Sequence, residues 1–177
     1  HGLFDVAMLT TVPGVTVYSP SDTAELSQCL EQALYKDKGI VAVRYPRGCE
    51  LYRSGTKAYS DFRHVSNKSR KLIFTYGRIS AYAYTIHGVD VLQAIKIFPI
   101  YDEIIDICLA YDEIYAFEEG EREGGIAQKL CTALALAGFK GRFTITAVDR
   151  FVRHADVATQ LHNAMLDADG MRKITGE

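Results

Sequence analysis

The 177-residue chain has only four cysteines, Cys29, Cys49, Cys108 and Cys131, and no C-x-x-C pair among them. That spacing spells neither a zinc knuckle nor a redox motif, so free, buried thiols are expected. No apolar run approaches the ~20 residues that span a bilayer, and the opening HGLFDVAMLT lacks the basic, apolar and small-residue zones of a signal peptide. The expectation is a cytoplasmic protein with no membrane partner. An excess of one charge is missing too. With 20 Lys+Arg against 22 Asp+Glu the formal net charge is -2, which gives no general reason to bind nucleic acid. Any anion site must therefore be local. There is no repeat, low-complexity tract or coiled-coil heptad.

What remains is an ordinary globular composition, 48% hydrophobic and 24% charged, enough for one domain or a small one plus a piece of another. The chain opens on His1 rather than Met, which suggests a portion of a larger unit. Residues 15–18, VTVY, read as a strand. Asp22 then opens a helix as N-cap with Glu25 three residues on, a capping box, and Leu26, Leu30, Ala33 and Leu34 are expected as its buried stripe. Ile40 to Tyr45 reads as a continuous apolar strand, so residues 1–48 hold one βαβ unit. Residues 49–70 turn polar and basic without a clean period, as in a linker. From Lys71 the order becomes regular: strand LIFTY, helix from about Ser80 to Ile86, strand VDVLQAI, helix YDEIIDICLAY, strand IYAFEE, helix IAQKLCTALALA, strand FTITAV and helix DVATQLHNAML. The fold class is α/β: a doubly wound, mostly parallel sheet over 71–177, preceded by a truncated βαβ piece. One βαβ unit cannot bury both of its faces. It should pack on the C-terminal unit, pair with another copy, or be disordered in part before residue 70.

Arg44 and Arg47 flank Pro46 at the C-terminal end of a parallel strand, where open α/β sheets place their ligand crevice. A guanidinium there suits a phosphate or carboxylate, and surface ion pairs are the competing reading. The segment Glu118 to Gly125 sits between a strand and a helix but is not G-x-G-x-x-G, and its four carboxylates would repel a phosphate. Capping and solvation, with glycine for close packing, explain it best; an interface or cation site is the alternative. His154 and His162 lie eight apart, which is no metal spacing, and Asp167-Ala168-Asp169-Gly170 reads as a helix-ending turn rather than a calcium loop. His1, His64 and His87 have no partner in the sequence, and no Ser-His-Asp or Cys-His arrangement can be argued.

HGLFDVAMLTTVPGVTVYSPSDTAEL followed by GIVAVRYPRG resembles the pyrimidine-binding domain of the 1-deoxy-D-xylulose 5-phosphate synthase family, where TH[HQ]GxFD, PSDxxEL and RYPRG occur in this order. IYAFEEGEREGG and DRFVRHADVATQLHNAMLDADGMRKI are similar to later segments of that family. Transketolase and the beta subunit of 2-oxoacid dehydrogenases share the architecture and rank second. A standalone dimerisation or regulatory module is the reading from another class. The resemblance implies a transketolase-type transferase, dependent on thiamine diphosphate and Mg²⁺, that joins pyruvate to glyceraldehyde 3-phosphate with loss of carbon dioxide in isoprenoid precursor synthesis. It divides the chain into the tail of the pyrimidine-binding domain (1–48), a linker (49–70) and the third domain (71–177), in a homodimeric parent.

Carried over residue by residue, the resemblance makes Arg47 the contact to the substrate phosphate and Arg44 a brace for its loop. His1 falls on the [HQ] place of TH[HQ]GxFD, directly after the family's substrate histidine, which lies off this chain; Arg44 and His1 are the lesser substrate-binding candidates beside Arg47. No catalytic residue, cofactor ligand or metal ligand maps onto this chain, so it is expected to be inactive alone and to bind no cofactor. Departures cluster late: Phe98-Pro99-Ile100-Tyr101 replaces a KPLD-like turn, Ala155 stands where a glycine is usual, and Ala127-Gln128 follow the paired glycines instead of Gly-Ser.

Overall fold

The structure is a computed structural model and describes residues 2–46, 48, 50–51 and 59–177. After a short helix α1 (Asp5–Leu9), strand β1 (Val15–Tyr18), helix α2 (Thr23–Tyr35) and strand β2 (Ile40–Val43) form the βαβ unit, with Val15 paired in parallel to Ile40 and Tyr18 to Val43. The rest of the order is β3 (Phe62–Val65), β4 (Lys71–Tyr76), a 3₁₀ turn (Gly77–Ile79), α3 (Ser80–Ala83), β5 (Asp90–Ala94), β6 (Lys96–Phe98), α4 (Asp102–Leu109), β7 (Glu113–Glu121), α5 (Ile126–Leu136), β8 (Arg142–Val148), α6 (Val157–Asn163) and α7 (Ala168–Thr175).

Two sheets result, one ordered β2-β1-β6 and the other β3-β5-β4-β7-β8. In the larger sheet β5, β4, β7 and β8 are mutually parallel and only the edge strand β3 is antiparallel. Period-2 alternation sends its side chains to two cores. Leu72, Phe74, Ile114 and Ala116 face α1, α4 and α5, whereas Ile73, Tyr115 and Phe117 face α3, α6 and α7. Helices on both faces explain why β4 and β5 are continuous buried runs rather than alternating ones.

The small sheet is joined to this body by three devices. Val15 and Val17 enter the α4/α5 core, and β6 leaves the large sheet's connection to pair antiparallel with β1. A buried polar cluster supplies the third. Glu25, 1% exposed, accepts from Ser21 N and Oγ at 2.8 Å, from Gln93 Nε2 at 3.0 and 3.2 Å, and from Arg63 Nε at 2.8 Å. This links the start of α2 to β3 and β5. Half of the expected capping box is present, since Asp22 accepts from Glu25 N at 2.8 Å, but the Glu25 carboxylate has turned to Ser21 and the large sheet.

That turn sets α2 the other way up from the sequence expectation. Glu25 and Cys29 face inward, and Leu30 and Leu34 are 41% and 70% exposed. The 49–70 stretch, expected as a linker, contributes β3 to the edge of the large sheet. Its four residues are too few and too polar to show a period. Asp167 does not end a helix: it begins α7 as N-cap, accepting from Gly170 N at 2.8 Å. The helix expected from Ser80 to Ile86 is one turn, ending at Ala83, and α1, β6 and α7 had no separate signal.

Candidate functional site at the ends of β2, β4 and β7

The connection from β4 to β5 passes over one face of the large sheet through α3, and that from β7 to β8 over the other through α5. The strand order therefore reverses between β4 and β7, the position where doubly wound sheets open a ligand crevice beyond their C-terminal strand ends. Tyr76 and Gly77 end β4 there. Gly77 takes φ +64°, donates its N–H to Ser19 O at 3.2 Å and would bring a Cβ to 3.0 Å from Ser19 Oγ, so glycine is required.

The crevice is filled from within. Glu118, 1% exposed, accepts from Tyr76 Oη at 2.6 Å, Ile126 N at 2.9 Å and Ala127 N at 2.8 Å, closing the N-terminus of α5 from the neighbouring strand. Burial pushes its pKa above the ordinary glutamate value, and the bonds from Tyr76, Ala127 and Ile126 only partly counter this. Burial and the adjacent carboxylate likewise hold the Tyr76 phenol protonated well beyond its usual range. Gly125 permits the approach, because a Cβ there would lie 2.4 Å from Glu121 O and 2.7 Å from both Glu118 oxygens.

Beside this pair Arg44, just past β2, gathers three segments. Its Nε meets Asp5 Oδ1 and Oδ2 at 3.1 and 2.9 Å, and its Nη2 donates to Gly2 O at 3.3 Å and Glu119 O at 2.8 Å. Burial opposes the charged guanidinium, but its neighbours Tyr76, Asp5 and Glu119 together outweigh it and raise its pKa. The Glu119 carboxylate in turn takes a forked pair from Arg78 Nε and Nη2. Glu121 N donates to Leu3 O at 2.8 Å, so the segment 2–5 lies across the end of β7.

Among the sequence candidates, Arg44 is thus engaged with the protein's own groups. Arg47 and His1 lie outside the described residues. On the described side of the RYPRG turn a cavity of about 370 Å³ is lined by Pro20, Asp22, Leu26, Tyr45 and Pro46. The histidines do not converge: His64 Nε2 meets Tyr111 Oη at 2.7 Å at the other end of the sheet, and His162 Nδ1 meets Asp167 Oδ2 at 2.7 Å. Cys29 and Cys108 are buried free thiols with pKa values pushed up to about 12 by burial; Cys131 is also free, and Cys49 lies outside the described residues. The Asp5 and Arg78 contacts gave no signal in the sequence, because their partners lie 39 and 41 residues away.

Among the described residues no three His, Cys, Asp or Glu side chains could hold a metal ion, and no helix is long and apolar enough to cross a membrane. The described residues thus offer no carboxylate cluster for the Mg²⁺ that would accompany thiamine diphosphate.

Residues 1–50 match the family model of the transketolase pyrimidine-binding domain. Curated relatives carry the likeness along the whole chain: the 1-deoxy-D-xylulose-5-phosphate synthase of Thermus thermophilus is 30% identical over 98% of this chain, and that of Chlorobium phaeovibrioides is 31% identical over 95%. The synthase of Chlorobium luteolum is 29% identical over 100% of the chain. The chain spans only 29–30% of these relatives' length. Among solved structures, a split-gene transketolase described as an inactive beta4 tetramer superposes with a TM-score of 0.76 over 95% of this chain and 59% of its own, at 17% identity. The chain therefore has a transketolase-like α/β fold and is similar along nearly its whole length to 1-deoxy-D-xylulose-5-phosphate synthases.

Proposed function

We propose that the chain is the portion of a 1-deoxy-D-xylulose-5-phosphate synthase-like enzyme that supplies a phosphate contact and the third domain to a site completed by the rest of the parent. The boundaries proposed are 1–48 for the pyrimidine-domain tail, 49–70 for the connection and 71–177 for the third domain. The parent would be a cytoplasmic homodimer that uses thiamine diphosphate and Mg²⁺ to condense pyruvate with glyceraldehyde 3-phosphate. The observation that carries this reading is the Arg44 anchor. Arg44 lies just past the C-terminal end of β2 and binds Asp5, Gly2 O and Glu119 O, which supports a bracing role for it three residues before Arg47. An Arg44 engaged through Nε and Nη2 is suited to bracing, which would leave Arg47 to hold the acceptor phosphate, and thiamine diphosphate held by the rest of the parent would supply the nucleophile.

The filled crevice at the β4/β7 switch point argues against the standalone ligand-sensing module. Its usual ligand position is taken by Tyr76, Glu118 and Arg44.

Two experiments test the proposal. The isolated chain, mixed with thiamine diphosphate, Mg²⁺, pyruvate and glyceraldehyde 3-phosphate, should show no turnover above background and no cofactor binding by calorimetry; turnover would refute the claim that the chain is incomplete. In the parent enzyme, Arg47→Ala should raise KM for glyceraldehyde 3-phosphate far more than for pyruvate, by about 2–4 kcal/mol of lost binding. An unchanged acceptor KM would remove Arg47 from the site.

A further inference from the structure

A second cavity is separate from the β2/β4/β7 crevice. It is a groove of about 640 Å³ beside the free edge of β8, lined by both polar and apolar side chains. It is lined by Ile145, by Arg122, Arg150 and Arg153, and by Gln160 and Asn163. Volume and mixed lining suit a small-molecule ligand.

Arg122 is the informative residue. Its backbone is fixed between β7 and β8, with its N–H donating to Val148 O at 2.8 Å. Its Nε is shut away from solvent, and among the described residues it has no hydrogen-bond acceptor and its guanidinium forms no ion pair. An arginine donor so placed costs free energy unless an anion meets it. Other arginine heads in this chain meet a carboxylate, Arg44 that of Asp5, Arg63 that of Glu25 and Arg78 that of Glu119, although Arg63 Nη2 is likewise buried without a partner among the described residues. Around the groove the positive charges outnumber the negative. Arg150 pairs at 3.2 Å with its neighbour Asp149, both largely exposed, and Arg153 makes no ion pair among the described residues. Two uncompensated guanidiniums favour a dianion over a monoanion.

We infer that the β8 groove is a binding site for a phosphorylated small molecule, with Arg122 and Arg153 on the phosphate and the organic body against Ile145 and the Gln160 and Asn163 amides. The site is independent of the Arg47 phosphate contact proposed above. It lies at the edge strand, and no residue of the Arg44 cluster lines it.

The test uses the 177-residue chain with phenyl phosphate, inorganic phosphate and benzoate as probes at matched ionic strength, read by calorimetry and by amide chemical shifts. Phenyl phosphate should bind saturably and more tightly than inorganic phosphate, benzoate weakest, with shifts concentrated between residues 145 and 165. Arg122→Gln should weaken phenyl phosphate by about tenfold or more, one charge-assisted pair. Arg153→Gln, at an exposed loop position that leaves the fold untouched, should weaken it several-fold. Arg47→Ala should leave it unchanged. Absence of saturable phosphate binding, or binding that survives both R122Q and R153Q, would overturn the inference. So would binding lost in R47A, which would assign the phosphate to the strand-end site instead.

Discussion

Two buried carboxylates stand at opposite ends of the large sheet and have been driven in opposite directions. Glu118, at the C-terminal end of β7, is 1% exposed and its pKa is raised; Asp90, at the start of β5, is also 1% exposed and its pKa is lowered. Burial pushes both upward, but Asp90 is the less enclosed of the two and has more donors. Asp90 receives four, from Tyr111 Oη, Ser66 Oγ, Asn67 N and Ser69 N at 2.7–3.1 Å, and its loop is open to water at Lys68. Glu118 receives three inside a sealed crevice and shares one of its oxygens between Tyr76 and Ile126. Hydrogen bonding wins at one end and desolvation at the other. The Asp90 end is a tie between loops, whereas the Glu118 end stores an energetically costly group beside Arg44 and the segment 2–5.

The largest effect should come from Glu118→Ala. It leaves the Tyr76 hydroxyl and two helix N–H groups buried without an acceptor, a loss of about 4 kcal/mol of unfolding free energy in denaturant melts. Glu118→Gln should recover little of this, because backbone donors face both oxygens and the amide NH₂ must oppose one of them. A loss below about 1 kcal/mol for the alanine variant would show that water reaches this crevice and would erase the contrast with Asp90.

Asp90→Asn should cost less, about 1–2 kcal/mol. The asparagine oxygen can keep Asn67 N and Ser69 N while its NH₂ turns to Ser66 and Tyr111. Both hydroxyls can rotate to accept, since His64 Nε2 stands 2.7 Å from Tyr111 Oη as an alternative partner. Equal losses in D90N and E118Q would mean that rotatable and fixed donors do not differ, and the comparison would fail.

Much of the large sheet was legible in sequence for the reason these carboxylates are buried. The central strands carry unbroken apolar runs, Leu72 to Phe74 and Val91 to Leu92, that only a two-faced sheet can bury. The α2 start was legible through Asp22. What could not be read depends on distant partners. Cys29 and Glu25 outrank the Leu30 and Leu34 stripe because Arg63 and Gln93 lie waiting on the large sheet 38 and 68 residues away. Glu118 looked like one of four solvated acids, and nothing local separates it from Glu119, Glu121 and Glu123. At the site, the strand-end position of Arg44 followed from the pattern, but its saturation by Asp5 and Glu119 O did not. Strands β3 and β6, of four and three residues, are formed by their neighbours and carry no period of their own.

The smallest and most discriminating effect is in pH dependence. An acid with a lowered folded pKa contributes stability that is complete above its unfolded value, near 4 for aspartate, and is lost as pH falls through the folded value. Asp90 follows this rule, so the advantage of wild type over D90N should shrink only in acid, below the ordinary aspartate range. An acid with a raised folded pKa behaves oppositely: the folded state holds the proton more tightly, and stability falls as pH climbs from the ordinary glutamate value to the folded one. The advantage of wild type over E118Q should therefore be greatest in acid, decline above the ordinary glutamate range, and then level off. Denaturant melts of wild type, D90N and E118Q across the acid-to-neutral range give both differences in one series. Two differences with the same slope would place the Glu118 carboxylate in the same electrostatic condition as Asp90, and the crevice would then be as well solvated as the loop.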